Sequence, residues 1–337
     1  MPRLVSNPPS PWQSQAVEWL EEPPTSALEI YEEEAKSILS KNDSPDIGFR
    51  YSINPYRGCF HGCAYCYARP THQYLGFGAG TDFERRLVVK INAAALLQRE
   101  LRKRSWKTEL IVFSGDTDCY QPLEATYKLT RQLIDVCRSA ANPIGIITKS
   151  CLIRRDIDLL SQLNQRADVT VYVSIPFHDS TTARKLEPFV PSITKRFETL
   201  CALSAAGIET GIALAPIIPG LNDADIPILL ETAHAAGARK AFMTLLRLPA
   251  EVAPVFSERL AEAFPDRTEK ILHAIRETKK GRLNRSSFGQ RFSGAGPRWE
   301  MIEQLFQLTC RRLGMNRDKP TMVVKKTGPP GIQLDLF

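Results

Sequence analysis

The sequence has no run approaching the ~18–20 consecutive apolar residues that a membrane-spanning helix requires, so no membrane association is expected. Its opening stretch, Met1 to Trp12, is rich in proline and has no apolar core, so it is not read as a secretory signal. Without such a signal, the eight cysteines of this 337-residue chain are not expected to form a disulfide framework, and a reducing cytoplasm is the expected location. The G-x-G-x-x-G phosphate fingerprint is also missing after the first predicted strand. Gly76-Phe77-Gly78-Ala79-Gly80 comes nearest and lacks the spacing, which argues against a dinucleotide fold.

What is present is ordinary in bulk and unusual in one place. A hydrophobic fraction of 43% and a charged fraction of 24% describe a globular chain long enough to bury a large core. The formal charge of +7 admits a polyanionic partner or simply a solvated basic surface. The unusual place is Gly58-Cys59-Phe60-His61-Gly62-Cys63-Ala64-Tyr65-Cys66-Tyr67. Three cysteines spaced C-x3-C-x2-C sit in a loop opened by Asn54-Pro55-Tyr56-Arg57.

Three thiolates are one short of a closed structural zinc site, which normally takes four ligands, whereas iron–sulfur clusters are held by clustered thiolates. A [4Fe–4S] cluster bound through Cys59, Cys63 and Cys66 would leave one iron open to a substrate or cofactor. The alternative is Cys3His zinc through His61, but with only Gly62 between His61 and Cys63 that geometry is cramped. Cys137, Cys151, Cys201 and Cys310 read as small core residues or bystanders.

Four regions are expected: an irregular N-terminal arm (1–45), a core domain (46–280), a basic and mostly helical extension (281–320) and a flexible tail (321–337). Within the arm, Ala27 to Leu39, containing Glu32-Glu33-Glu34, reads as an acidic helix. The core alternates strands and helices. Strands are predicted at Tyr51–Asn54, Glu109–Phe113, Ile144–Thr148, Val169–Ser174, Thr210–Ala215 and Ala241–Leu246. Helices are predicted over Asn92–Arg104, Leu123–Ala141, Arg155–Gln165, Ser192 or Thr194 to Ala206, Asp223 or Asp225 to Ala236, Ser257–Lys279 and Pro297–Leu313. Six such βα units make a parallel α/β fold, either an open sheet or an incomplete barrel.

Ligands of parallel α/β folds bind where the carboxyl ends of the strands gather. Those ends are polar here: the cysteine loop, Ser114-Gly115-Asp116-Thr117-Asp118-Cys119, Thr148-Lys149-Ser150, Ser174, Ala215-Pro216 and Arg247. With the aromatic Tyr65 just before the last cysteine, the motif resembles that of the radical S-adenosylmethionine superfamily. More narrowly, Gly58-Cys-x2-Gly-Cys-x-Tyr-Cys-Tyr-Ala-Arg69, Thr148-Lys149, Ser174-Ile175 and Ala215-Pro216 are similar to its spore photoproduct lyase-like, DNA repair photolyase branch. The resemblance covers roughly Arg50 to Leu248.

That resemblance implies a partial (β/α)6 TIM-type barrel and an enzyme that cleaves S-adenosylmethionine reductively to a 5′-deoxyadenosyl radical. A [4Fe–4S] cluster and S-adenosylmethionine are the implied cofactors, with flavodoxin or ferredoxin as electron donor. It places Tyr65 and Tyr67 beside the cluster and adenine, and Ser114 and Asp118 at the cofactor's amino group. Lys149 then meets its carboxylate, Ser174 a ribose hydroxyl or that carboxylate, and Ala215 and Pro216 the adenine. Gly115 stands where the lyase's hydrogen-donor cysteine would fall, which leaves nearby Cys119 as the candidate donor. The implied substrate is nucleic acid, DNA preferred. The alternatives are a radical enzyme acting on RNA or a small molecule, and a non-catalytic zinc or iron–sulfur nucleic-acid-binding module. The ending Gln333-Leu334-Asp335-Leu336-Phe337 resembles the motif by which bacterial repair proteins dock on the DNA sliding clamp, presented here on a Pro/Gly linker.

Overall fold

The computed structural model of the protein describes residues 27–317. The clamp-like pentapeptide and residues 1–26 of the arm lie outside the described residues. The strands are β1 (Glu29–Glu33), β2 (Leu39–Lys41), β3 (Tyr51–Ile53), β4 (Tyr56–Arg57), β5 (Arg86–Lys90), β6 (Ile111–Phe113), β7 (Ile144–Thr148), β8 (Val169–Ser174), β9 (Glu209–Ile217) and β10 (Lys240–Leu245). The helices of the first half are α1 (Thr81–Arg85), α2 (Ala93–Leu101), α3 (Glu124–Tyr127), α4 (Leu129–Ala140) and α5 (Ile157–Asn164). Those of the second half are α6 (Ser180–Leu186), α7 (Ile193–Ala205), α8 (Ile226–Ala235), α9 (Val252–Ala263), α10 (Thr268–Thr278) and α11 (Pro297–Leu313).

A seven-stranded sheet runs in the order β10-β9-β8-β7-β6-β3-β2. All its neighbours pair in parallel except β2 and β3, which are antiparallel. The six parallel strands are those predicted, and the sheet is a partial TIM-type barrel. Every residue of β8 is buried, the pattern of a parallel strand covered on both faces. Ser192 starts α7 as predicted, accepting from the Lys195 amide.

Three predicted elements come out differently. The acidic stretch Ala27–Leu39 is not a helix. Its residues Glu29–Glu33 form β1, parallel to β5, in a separate three-stranded sheet β1-β5-β4. Glu29 faces Arg86 at 3.5 Å and Glu33 faces Arg57 at 3.7 Å, so two of the acidic side chains meet basic partners across strands, while Glu32 accepts from the Tyr127 hydroxyl. The helix predicted over Leu123–Ala141 is broken by Lys128 at φ 53°, and that over Ser257–Lys279 is interrupted at Phe264-Pro265. Strand β5 and helix α6 were not anticipated.

β10 is the edge strand of the barrel, and an open edge invites pairing with other chains. Residues after α10 cover it. The Leu245 amide donates to the Phe292 carbonyl at 2.9 Å. Asn316 closes both backbone groups of Ala241, each at 2.9 Å, with its side-chain amide. Asn316→Ala should therefore lower stability by about 1–2 kcal/mol, read as a lower urea midpoint; an unchanged midpoint would contradict this closure.

Candidate active site

The cysteine loop is held by hydrogen bonds from three directions. Underneath, Glu84 of α1 bonds Arg69 at 2.5 Å and Arg259 of α9 at 2.5 Å, and all three are buried. Both guanidinium groups pass that anchorage to the loop backbone. Arg69 donates to the Cys63 carbonyl at 2.8 Å, and Arg259 to the Gly62 carbonyl at 2.9 Å. From one flank, Gln121 accepts from the Phe60 amide at 2.9 Å and donates to the Gly58 carbonyl at 3.1 Å. From the other, the Ala64 amide donates to the Leu186 carbonyl at 2.9 Å.

Two glycines make this packing feasible. A Cβ on Gly58 would lie 2.8 Å from the Phe83 carbonyl oxygen, and one on Gly62 would lie 3.1 Å from Glu84 Oε2. Both residues sit at positive φ, 71° and 64°, where L side chains are disfavoured.

The loop forms one wall of a cavity of about 240 Å³ at the carboxyl ends of the parallel strands. Cys59, Cys63 and Cys66 line it, and every proposed cofactor contact lines it too: Tyr65, Tyr67, Ser114, Asp118, Lys149, Ser174, Ala215 and Pro216. These residues come from five separate segments at the strand ends, so the sheet brings together what the sequence scatters over 158 residues between Cys59 and Pro216.

Their environments differ. The Lys149 ammonium lies 5.7 Å from the centre of the Tyr65 ring. Its pKa is raised despite burial, which acts to lower it, because Cys63 and Glu187 favour the charged form. Tyr65 donates its hydroxyl to Glu187, which also bonds Arg196 at 2.5 Å, and Arg196 donates onward to the Ser174 carbonyl at 3.1 Å. Tyr67 donates to the Gly115 carbonyl. Ser114 has φ 81°, a left-handed backbone at a non-glycine residue, and its Oγ accepts from the Cys119 amide at 3.3 Å.

Asp118, expected to await a cofactor amino group, is already engaged. It accepts from Thr148 Oγ1 and the Lys149 amide at 2.7 Å each, and from the Tyr120 amide at 2.9 Å. His61 Nδ1 lies 3.5 Å from the same carboxylate, and burial lowers the pKa of the imidazole. Asp118 thus ties the loop after β7 to the loop after β6 and to the cysteine loop.

Cys119, the expected hydrogen donor, is not brought to the cavity. Its side chain is fully buried in the hydrophobic core and is absent from the lining, and desolvation pushes its thiol well up. The residue that sequence reading left out is Arg247. It lines the cavity with its guanidinium 5.4 Å from the Tyr67 ring centre, and only its place at the last strand end signalled it.

The three loop cysteines are free. Burial raises the pKa of each, that of Cys63 to about 12, so a metal must displace their protons. Among the described residues no three His, Cys, Asp or Glu side chains converge as they would on a single ion. Cys59, Cys63 and Cys66 nonetheless line one cavity as free thiols, a clustered set of the kind that holds iron–sulfur centres. The donor set therefore fits an iron–sulfur cluster.

A partial TIM-type barrel with a three-cysteine centre at its carboxyl end defines a class of metalloenzyme. Residues 53–233 match the family model of the radical SAM superfamily, and the chain belongs to that superfamily. The family's [4Fe–4S] cluster and S-adenosylmethionine are its cofactors. An uncharacterised protein of Mycobacterium tuberculosis is 37% identical over 247 residues, covering 72% of this chain and 73% of the relative. A radical SAM Nα-GlyT isomerase of Pseudomonas phage M6 is 27% identical over 231 residues, covering 67% of this chain and 46% of that one. Among solved structures, spore photoproduct lyase complexed with dinucleoside spore photoproduct shares the fold, with a TM-score of 0.61 at 15% identity, covering 85% of this chain and 80% of the lyase.

Glu84→Gln would leave Arg69 and Arg259 buried around a neutral side chain. Stability should fall by about 3–5 kcal/mol, the usual consequence of breaking a buried charge pair from one side. Chemical denaturation of the variant checks this, and a loss below about 1 kcal/mol would show that the cluster of charges does not anchor the loop.

Proposed function

We propose that the protein is a radical S-adenosylmethionine enzyme acting on nucleic acid, with DNA preferred. The observation that carries the enzymatic reading is the convergence of three free cysteines and polar groups from the later strand ends on one cavity. When bound, the cluster and S-adenosylmethionine supply a carbon radical that takes hydrogen from substrate, at the expense of one electron from a carrier such as flavodoxin or ferredoxin.

The chain's own residues bind, orient and exclude water. Cys59, Cys63 and Cys66 hold iron as thiolates. Lys149, whose ammonium makes no hydrogen bond or ion pair among the described residues, pairs with the cofactor carboxylate as a compact cation. The turn Ser114–Thr117 receives the cofactor's amino group, while Asp118 keeps that turn and Lys149 in register. Ser174 offers a hydroxyl, and Ala215-Pro216 offers backbone, to the ribose and adenine. Tyr65 and Tyr67 pack beside the cluster.

Support for a nucleic-acid substrate is separate. The chain carries a net charge of +7, and residues 281–298 contain four arginines and no acidic residue. Phe292 of that segment lines the cavity. The lyase that shares the fold was solved with a dinucleoside photoproduct. Hydrogen donation by Cys119 is no part of this reading, given its burial outside the cavity. We place the enzyme in the cytoplasm, with Gln333–Phe337 as a docking segment for the sliding clamp.

Anaerobic reconstitution with iron and sulfide, followed by a chemical reductant, tests the reading. The expected result is 5′-deoxyadenosine from S-adenosylmethionine in amounts that rise when damaged DNA is added. Lys149→Met should raise the KM for S-adenosylmethionine about tenfold or more, in line with loss of a charge-assisted contact. Stoichiometric zinc with no cleavage would sink the enzymatic reading. Cleavage that ignores DNA while responding to RNA or to a small metabolite would sink the choice of substrate.

A further inference from the structure

Beyond the radical cavity, rings and guanidinium groups alternate in a line. Starting at the cavity wall, Arg247 stacks at 5.4 Å from the Tyr67 ring centre and at 4.9 Å from that of Phe292. Arg291 then stacks at 4.9 Å from the Phe292 ring and at 5.1 Å from that of Phe288. Tyr67, Arg247 and Phe292 line the cavity. Phe288, at the far end, is 63% exposed. The row therefore runs from the reaction chamber to solvent.

The two cations of the row differ. Arg291 is paired with Asp46 at 2.6 Å and donates to the Ser44 hydroxyl. Arg247 has no carboxylate partner among the described residues, and its Nε is buried with no hydrogen-bond acceptor. Close behind, Lys279 is fully buried, and its Nζ has no partner among the described residues. Burial and the nearby charges of Arg247 and Arg285 lower its pKa to about 8. Arg247, at the cavity wall, is a partly buried cation without a counter-charge among the described residues, and an incoming anion would relieve it.

We propose that the row Tyr67–Arg247–Phe292–Arg291–Phe288 is the entry track for an unpaired segment of DNA, with Arg247 at the cavity wall taking its phosphate charge and Lys279, buried behind it, adding only to the positive field. The proposal rests on the nucleic-acid reading above and adds where and in what form the strand is bound. Planar rings and guanidinium faces stack bases regardless of sequence, and a positive groove follows the backbone. An enzyme that reacts with a base must take it out of the duplex, and a track leading into the cavity serves a strand already unpaired.

The test is fluorescence anisotropy with the reconstituted full chain at roughly 0.1 M salt. The probe is a fluorescein-labelled DNA strand of about 12 nucleotides, used single-stranded and as a duplex. The exposed position of Phe288 allows substitution without disturbing the core. Phe288→Ala should weaken single-strand binding about fivefold or more, and Phe288→Trp should restore it, as stacking on an aromatic face requires. Duplex binding should change by less. If wild type binds and Phe288→Ala binds equally well, or if the loss is the same on duplex, the track is wrong while the nucleic-acid reading stands. If wild type binds no DNA in either form, the substrate reading fails and the track fails with it.

Discussion

The structure depends on one carboxylate in the dark. Glu84 sits between Arg69 and Arg259, all three withdrawn from water, and each arginine also donates to a carbonyl group of the cysteine loop. A loop of this kind has no strand or helix ladder of its own to satisfy its carbonyls. Buried guanidinium groups supply that lost hydrogen bonding, and Glu84 makes their burial tolerable. The outcome is a loop whose three thiols are presented to a cavity rather than collapsed on one another.

The same device recurs around the cavity. Glu187 joins Tyr65 to Arg196, and Arg196 reaches the carbonyl of Ser174 at the end of β8. Asp118 joins the loops after β6 and β7 and lies against His61. Charged residues that sequence inspection would assign to ligand binding are thus often engaged in holding other loops. Among the described residues that line the cavity, this leaves Lys149 and Arg247 as the cations with capacity for a ligand. A site assembled from loops gains its rigidity from such cross-links, and precise catalytic geometry needs that rigidity.

How much of this was legible follows from the range over which each feature is determined. The C-x3-C-x2-C spacing, the six parallel strands and the polar strand ends are local patterns, and all are found where the sequence places them. The acidic stretch at Glu29–Glu33 misled because its helix propensity is local while its partners, Arg57 and Arg86, arrive later in the chain. Cys119 misled for a related reason. It lies one residue from Asp118, yet it turns into the core while Asp118 lines the cavity. Glu84 and Arg259, 175 residues apart, leave no sequence signature of their pairing. Arg247 was visible only as the residue after the last strand.

The central claim is that Cys59, Cys63 and Cys66 hold a cluster with one iron left open, and that the surrounding strand ends deliver S-adenosylmethionine to it. Electron–nuclear double resonance on the reduced, reconstituted protein tests this most directly, using S-adenosylmethionine labelled with nitrogen-15 at its amino group. The account predicts a hyperfine coupling from the labelled nitrogen to the cluster. A cluster signal without that coupling, unchanged by adding the labelled cofactor, would contradict it.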